Sequence, residues 1–301
     1  MFYSPLRYPG GKNKLSSFLA KICIDNNIHG HYIEPYAGGA SVALFLLIEG
    51  YVGRITINDK DRSIYAFWHS VVYNSEKLCN MIESTEVNSK NWYIQKQVQR
   101  EKETVPLLEL GFSTLFLNRT NRSGIIKGGM IGGVNQLGEY KVDCRFNKED
   151  IIKRIRLIAN NRDYISIYNM DANDLIDEVV SKDGHSNTIF YFDPPYYLKA
   201  ESLYMNYYKD EHHEAICEKI KSIKNVHWIV SYDDHQFINN LYSDFDSKQY
   251  SFNHSAFSSR EGKEVLFFSK ALMQPNVNNY HPTHFKLRKT RLQKTVIYDV
   301  K

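Results

Sequence analysis

The sequence predicts an α/β chain, a sheet flanked by helices and interrupted by a mostly helical insertion. Three observations carry this expectation. Between His31 and Asp59 a strand, a glycine turn, a helix and a second strand follow one another. Strand texture then stops and returns only at Tyr164. The stretch between is helix-like and rich in Lys, Arg, Glu, Asn and Gln, most plainly from Asn91 to Glu103.

Each element has its own signal. Leu6 to Leu15 is a glycine-rich loop that runs into a helix expected over Leu15 to Asn26. His31-Tyr32-Ile33-Glu34-Pro35 reads as a strand closed by proline, and Tyr36-Ala37-Gly38-Gly39-Ala40-Ser41 as the turn. A helix starts at Val42, and Gly53 to Asp59 forms the second strand, which ends in an acid. This is one βαβ unit. An apolar stretch from Pro106 to Leu117 leads into a glycine-rich loop from Asn118 to Gly129. Further strands are expected at Tyr164–Tyr168, Thr188–Phe192, His227–Tyr232, Gln249–Phe252 and Glu264–Ser269. No period of 20 to 50 residues recurs, which sets aside repeat architectures.

Composition narrows the class. The chain has 301 residues, 43% hydrophobic and 24% charged, as expected of a globular protein with a real core. Its net charge of +4 is too small to argue for nucleic acid by itself. From His284 onward, however, Lys286, Arg288, Lys289, Arg291 and Lys294 occur with no acid before Asp299. That segment reads as a solvated tail or an accessory phosphate contact. Cys23, Cys79, Cys144 and Cys217 form no C-x-x-C pair, so neither a disulfide framework nor a metal site is expected, and a reducing compartment fits. No membrane span or export segment is visible, which makes the cytoplasm the expected location.

The most specific chemistry lies at Ile189-Phe190-Tyr191-Phe192-Asp193-Pro194-Pro195-Tyr196. An apolar strand stops where proline removes a donor and fixes φ. Asp193, the Pro194 carbonyl and the Tyr196 ring are then left at the strand's carboxyl end. Two acceptors and an aromatic face suit a planar amine attached to a ring. The simpler reading is a proline turn with an Asx-type bond.

Four segments in order resemble the Dam-like D12 class of DNA adenine-N6 methyltransferases: Pro9-Gly10-Gly11-Lys12, Glu34 to Ser41, Asn118-Arg119, and Asp193-Pro194-Pro195-Tyr196. The resemblance covers most of the chain. It implies a Rossmann-like methyltransferase sheet with helices on both faces and S-adenosylmethionine as cofactor. It also implies catalytic residues Asp193, Pro194, Pro195 and Tyr196, with Tyr196 stacking on a flipped adenine. Cofactor contacts fall on Tyr8, Lys12, Glu34, Pro35, Gly38, Asp59, Asp171 and Asp193. Tyr8 departs from the tryptophan of the best-known members, and an N-cap is the other reading of Asp171. The implied domains are catalytic at 1–62 and 164–275, an inserted target-recognition domain at 63–163 and a basic tail at 276–301.

Double-stranded DNA is the implied partner, with a cognate restriction endonuclease as a further one. Asn118, Arg119, Asn121, Arg122 and Lys127 are the expected DNA contacts, with Lys141 and Arg145 as weaker phosphate candidates. Ser231-Tyr232-Asp233 matches a strand-end motif near the target pocket. Tyr204 and His213 follow the catalytic motif, where His212 replaces the family's acid, and His213 is expected at the surface. N4 methylation of cytosine and a catalytically silent DNA-binding relative are the alternatives. A nicotinamide-dependent dehydrogenase is set aside because G-x-G-x-x-G spacing is missing.

Overall fold

The computed structural model describes residues 2–7, 12–183, 187–197, 208–253, 261–289 and 294–299. Among them lies a seven-stranded sheet in the order β3-β2-β1-β4-β5-β7-β6. The strands are β1 (His31–Glu34), β2 (Arg54–Asn58), β3 (Ile165–Tyr168), β4 (Thr188–Phe192), β5 (His227–Asp233), β6 (Asp246–Asn253) and β7 (Glu261–Phe268). β1 runs parallel to β2 and β4, and β4 parallel to β5, whereas β7 pairs antiparallel with both β5 and β6. The order through β5 is that of a doubly wound Rossmann-like fold, with a reversed strand added beyond it. Every residue of β1 and β4 is buried, as central parallel strands covered on both faces should be.

Helices start where the sequence supplies caps. The side chains of Asp61, Asn88 and Asn147 accept from Ser63, Asn91 and Asp150 backbone N–H groups. They open α3 (Arg62–Tyr73), α5 (Ser89–Arg100) and α7 (Lys148–Ala159), after α1 (Ser16–Asp25), α2 (Ser41–Ile48) and α4 (Ser75–Ser84). The apolar stretch after Pro106 is α6 (Leu107–Thr120), buried along most of its length. Asn118 and Arg119, expected on a loop, therefore sit in the last turn of a helix. α8 (Ala172–Asp183), α9 (Asp210–Lys221) and α10 (Gln236–Leu241) complete the order.

The chain forms two compact units. One comprises Met1–Gly11, Gly38–Ala40 and Asn58–Met170; the other comprises Lys12–Ala37, Ser41–Ile57 and Asp171–Lys301. In the first, α6 packs on α3 at Gly111. A Cβ there would meet the Ala66 carbonyl oxygen at 2.5 Å and the Ser70 hydroxyl. Gly111→Ala is accordingly expected to destabilise the protein by about 2–3 kcal/mol, read as a lowered urea midpoint. An unchanged midpoint would show that the helices part without cost.

The basic C-terminal segment is not a plain tail. β8 (Phe285–Lys289) and β9 (Lys294–Tyr298) pair antiparallel. Phe285 is buried against Phe18, Tyr280 and Tyr298, and Val296 is buried as well. Lys294 binds the buried Glu49 carboxylate at 2.8 Å and Lys289 lies 3.6 Å from it. These two lysines neutralise an internal acid. Among the described residues no helix is long and apolar enough to cross a membrane, and no His, Cys, Asp and Glu cluster could hold a metal.

Candidate active site

In the second unit, β1, β4 and β5 run parallel, so their carboxyl ends lie along one edge. Glu34 ends β1, Asp193 follows β4 directly, and Ser231 and Asp233 lie in the last turns of β5. Asp193 is partly open, with a side chain 23% exposed. Lys12 Nζ donates to both of its oxygens, at 2.8 and 2.9 Å. The Ser231 hydroxyl donates to Oδ1 at 2.8 Å, and itself accepts from the Tyr191 hydroxyl at 2.9 Å. A carboxylate offers about four lone-pair sites. Among the described residues three are taken, two by Lys12 and one by Ser231, which leaves one on Oδ2.

Lys12 also donates to the Tyr196 hydroxyl at 2.6 Å and lies 4.7 Å from the centre of its ring. Sequence reasoning expected Lys12 at the cofactor; the structure ties it to the catalytic motif. Pro194, Pro195 and Tyr196 are all buried. The Tyr196 hydroxyl donates to Glu264, which also accepts from the Tyr250 hydroxyl. Asp233 accepts from the Tyr197 backbone N–H at 2.9 Å. The Ser-Tyr-Asp strand end thus holds the proline turn from two sides. Strand alternation sends the intervening Tyr232 the other way, to His213 Nδ1 at 2.9 Å.

His213 is fully buried rather than at the surface, and burial pushes its pKa down to about 4. His212 accepts the Lys209 N–H at the start of α9.

Glu34 is buried and accepts from the Ala43 N–H at 3.1 Å, in the first turn of α2, and from the Tyr32 hydroxyl at 3.2 Å. Burial pushes its pKa up to about 8, and the neighbouring Asp193 adds to this. Pro35 is buried beside it. Asp171 accepts from the backbone and side chain of Asn173, both at 3.0 Å, and so caps α8. Tyr8, Tyr204 and residues 9–11 lie outside the described residues.

In the first unit, Gly38 has φ 45°, a left-handed conformation that glycine adopts without a Cβ clash. Its carbonyl accepts from the Trp68 indole N–H at 2.9 Å, and its N–H donates to Asp59 at 3.0 Å. Asp59, half-buried, also accepts the Asp61 N–H at 2.9 Å. Burial, with Asp61 beside it, pushes the Asp59 pKa up to about 7. Two lone pairs remain unfilled among the described residues. A vicinal diol would supply two donors to that carboxylate, so the donor set fits the ribose of S-adenosylmethionine.

The same unit carries the expected DNA contacts, and they divide. Asn118 is buried; it accepts the Arg7 N–H at 2.7 Å and donates to the Arg7 and Gly124 carbonyls, both at 2.8 Å. Arg119 donates to the Pro5 carbonyl at 2.7 Å, and burial pulls its pKa down to about 10. Asn121 accepts from the Trp92 indole at 2.6 Å and donates to the Ile125 and Ile126 carbonyls at 2.9 Å. These three side chains are committed to the protein frame, and the first two hold the N-terminal segment at Pro5 and Arg7. Arg122 and Lys127 are exposed. Arg122 lines a cavity of about 400 Å³ with Trp92, Tyr93, Lys96 and Arg100, cations and aromatic faces together.

This sheet order, with an acid-proline-proline-tyrosine turn at its carboxyl edge, defines a methyltransferase of Rossmann-like type. The profile of the D12 class N6 adenine-specific DNA methyltransferases matches residues 8–254, and the chain belongs to that family. Such enzymes generally use S-adenosylmethionine. The chain is similar to the type II methyltransferase M.MjaIII of Methanocaldococcus jannaschii, 25% identical over 220 residues, covering 68% of this chain and 73% of that one. Among solved structures, the rRNA methyltransferase aviRa of Streptomyces viridochromogenes covers 83% of this chain and 82% of its own, with 8% identity and a TM-score of 0.34.

Sequence reasoning missed Glu264 and Tyr250. The signal was an acid opening the apolar run Glu264-Val265-Leu266-Phe267-Phe268.

Proposed function

We propose that this DNA methyltransferase transfers a methyl group from S-adenosylmethionine to N6 of an adenine flipped out of duplex DNA. The products are N6-methyladenine and S-adenosylhomocysteine. The observation that carries this reading is the Asp193 carboxylate, partly open and with one lone pair left on Oδ2.

The adenine N6 lone pair is delocalised into the ring. Asp193 Oδ2 and the Pro194 carbonyl would accept its two N–H bonds and favour a more tetrahedral nitrogen, with the lone pair aimed at the incoming methyl. The cofactor, when bound, supplies a sulfonium methyl whose C–S bonding pair stays on sulfur as the new C–N bond forms. N6 then releases one proton, which the Asp193 carboxylate would accept. Gly38 and Asp59 would hold the ribose, while Tyr8, Glu34, Pro35 and Asp171 match the family's remaining cofactor positions. Tyr196 would stack on the flipped base while its hydroxyl remains anchored.

Residues 63–163 would recognise the target, with Arg122, Lys127 and the Lys96–Arg100 pair on phosphates or base edges. Lys96 lies 5.3 Å from the Trp92 ring centre, an arrangement that suits a polyanion with stacked bases. Arg122→Ala is expected to weaken DNA binding by about 1–3 kcal/mol without lowering thermal stability. Asn121→Ala, which strands the Trp92 N–H and two carbonyls, should lower stability instead. The reverse outcome in anisotropy titrations and thermal melts would exchange their roles. The type II relative supports a modification role beside a restriction endonuclease.

The decisive experiment mixes the protein with tritiated S-adenosylmethionine and plasmid lacking adenine methylation. Label in N6-methyladenine supports the proposal. Label in N4-methylcytosine, or DNA binding without transfer, overturns it.

A further inference from the structure

We infer that Glu264 is a positioning residue for methyl transfer, acting through Lys12 and the Tyr196 hydroxyl to keep Asp193 Oδ2 open to the incoming amine. This rests on the adenine-N6 reading above and adds to it a group that makes no contact with the substrate itself.

Glu264 lies on β7 opposite Asp233 of β5 and Tyr250 of β6. It is 2% exposed, and the four residues after it are buried and apolar. A carboxylate in that setting costs several kcal/mol unless it is paired, and an apolar residue would fill the space without that penalty. Its compensation comes from three sides. Tyr196 donates to one oxygen, Tyr250 donates to the other, and Lys12 Nζ lies 3.8 Å from the first.

The direction of these bonds fixes a proton. A tyrosine hydroxyl has one proton to donate. Tyr196 gives its proton to Glu264, so the Tyr196 lone pair is what meets Lys12, at 2.6 Å. Lys12 is thereby drawn toward the Glu264 side while it bridges the two oxygens of Asp193. Without the Glu264 charge, the ammonium loses one of the anions beside it, and the Tyr196 proton is free to turn away. Both changes crowd or shift the carboxylate that must receive N6–H. Tyr191 and Ser231 steady Asp193 from the opposite side, through β4 and β5.

The test is a double-mutant cycle with Glu264→Gln, Lys12→Met and the combined variant. It measures kcat and KM for adenine methylation, DNA and S-adenosylmethionine affinities, and thermal midpoints. Glu264→Gln keeps volume and removes charge. It is expected to lower kcat about tenfold or more, leave both affinities within about twofold, and cost little once Lys12 is gone. If the losses multiply, or Glu264→Gln turns over within about twofold of wild type, Glu264 does not act through Lys12.

Should Glu264→Gln fail to fold, Tyr250→Phe removes one donor without touching Asp193 or Lys12. A smaller fall in kcat with KM unchanged is then expected, and an unchanged kcat overturns the inference. A wild-type protein that labels no adenine overturns the functional reading and this inference together, whereas an active wild type with multiplying losses overturns this inference alone.

Discussion

Asp193→Ala is expected to lower methyl transfer by about two to three orders of magnitude while DNA affinity stays nearly unchanged. The size follows from what the carboxylate does. On the proposed mechanism it accepts from the reacting nitrogen, where a lost preorganised partner typically raises the barrier by about 3–4 kcal/mol. The substitution also strips Lys12 of its nearest anion, at 2.8 Å, leaving Glu264 at 3.8 Å to hold the ammonium. DNA affinity should survive because the exposed cations proposed to bind DNA belong to a different unit. Asp193→Asn is the sharper variant: it keeps the shape and the Ser231 contact but presents either an uncharged oxygen or an N–H to the amine. Single-turnover methylation separates chemistry from binding. A burst rate near that of wild type in either variant would remove Asp193 from the reaction.

The second large effect concerns pH. Glu34 is buried with a pKa raised to about 8 from 4.5. A carboxylate held above its unfolded value favours the folded state when protonated. Its contribution is fully present below about pH 4.5 and is lost as pH rises through about 8. The total is on the order of 5 kcal/mol. Glu34→Gln keeps an acceptor for the Ala43 N–H and cannot ionise. The variant should therefore unfold at a higher urea concentration than wild type at pH 9, with the gap closing toward pH 5. Parallel denaturation midpoints across that range would show that Glu34 does not titrate there.

Much of the catalytic frame was legible because it is local. Proline ends a strand, Gly38 permits a left-handed turn, and alternating apolar residues make buried strands; each rule acts within a few residues. The carboxylate at the end of β4 could therefore be assigned from eight consecutive residues. Partners distant in sequence could not. Lys12 meets Asp193 from a distant turn of the chain, and Glu264 meets Tyr196 because a reversed strand is added beyond β5; no local pattern encodes either contact.

The Asn118-Arg119 pair was expected on a loop and lies on a helix. Polar side chains near a glycine-rich loop suggested readers of bases, yet the helix continues to Thr120 and turns both residues inward to main-chain groups. Burial of a polar residue is decided by what packs over it, and composition cannot show that. His213 was misplaced for the same reason. In the C-terminal segment, the frequent lysines masked an alternating pattern whose apolar members, Phe285 and Val296, face the interior.

The commitment of Asn118, Arg119 and Asn121 to main-chain carbonyls has an evolutionary consequence for any target preference this protein holds. Positions that brace the scaffold are distinct from the solvent-facing cations at 122 and 127. On the proposed reading, substitution at the latter changes which duplex word is favoured without unfolding the support beneath it.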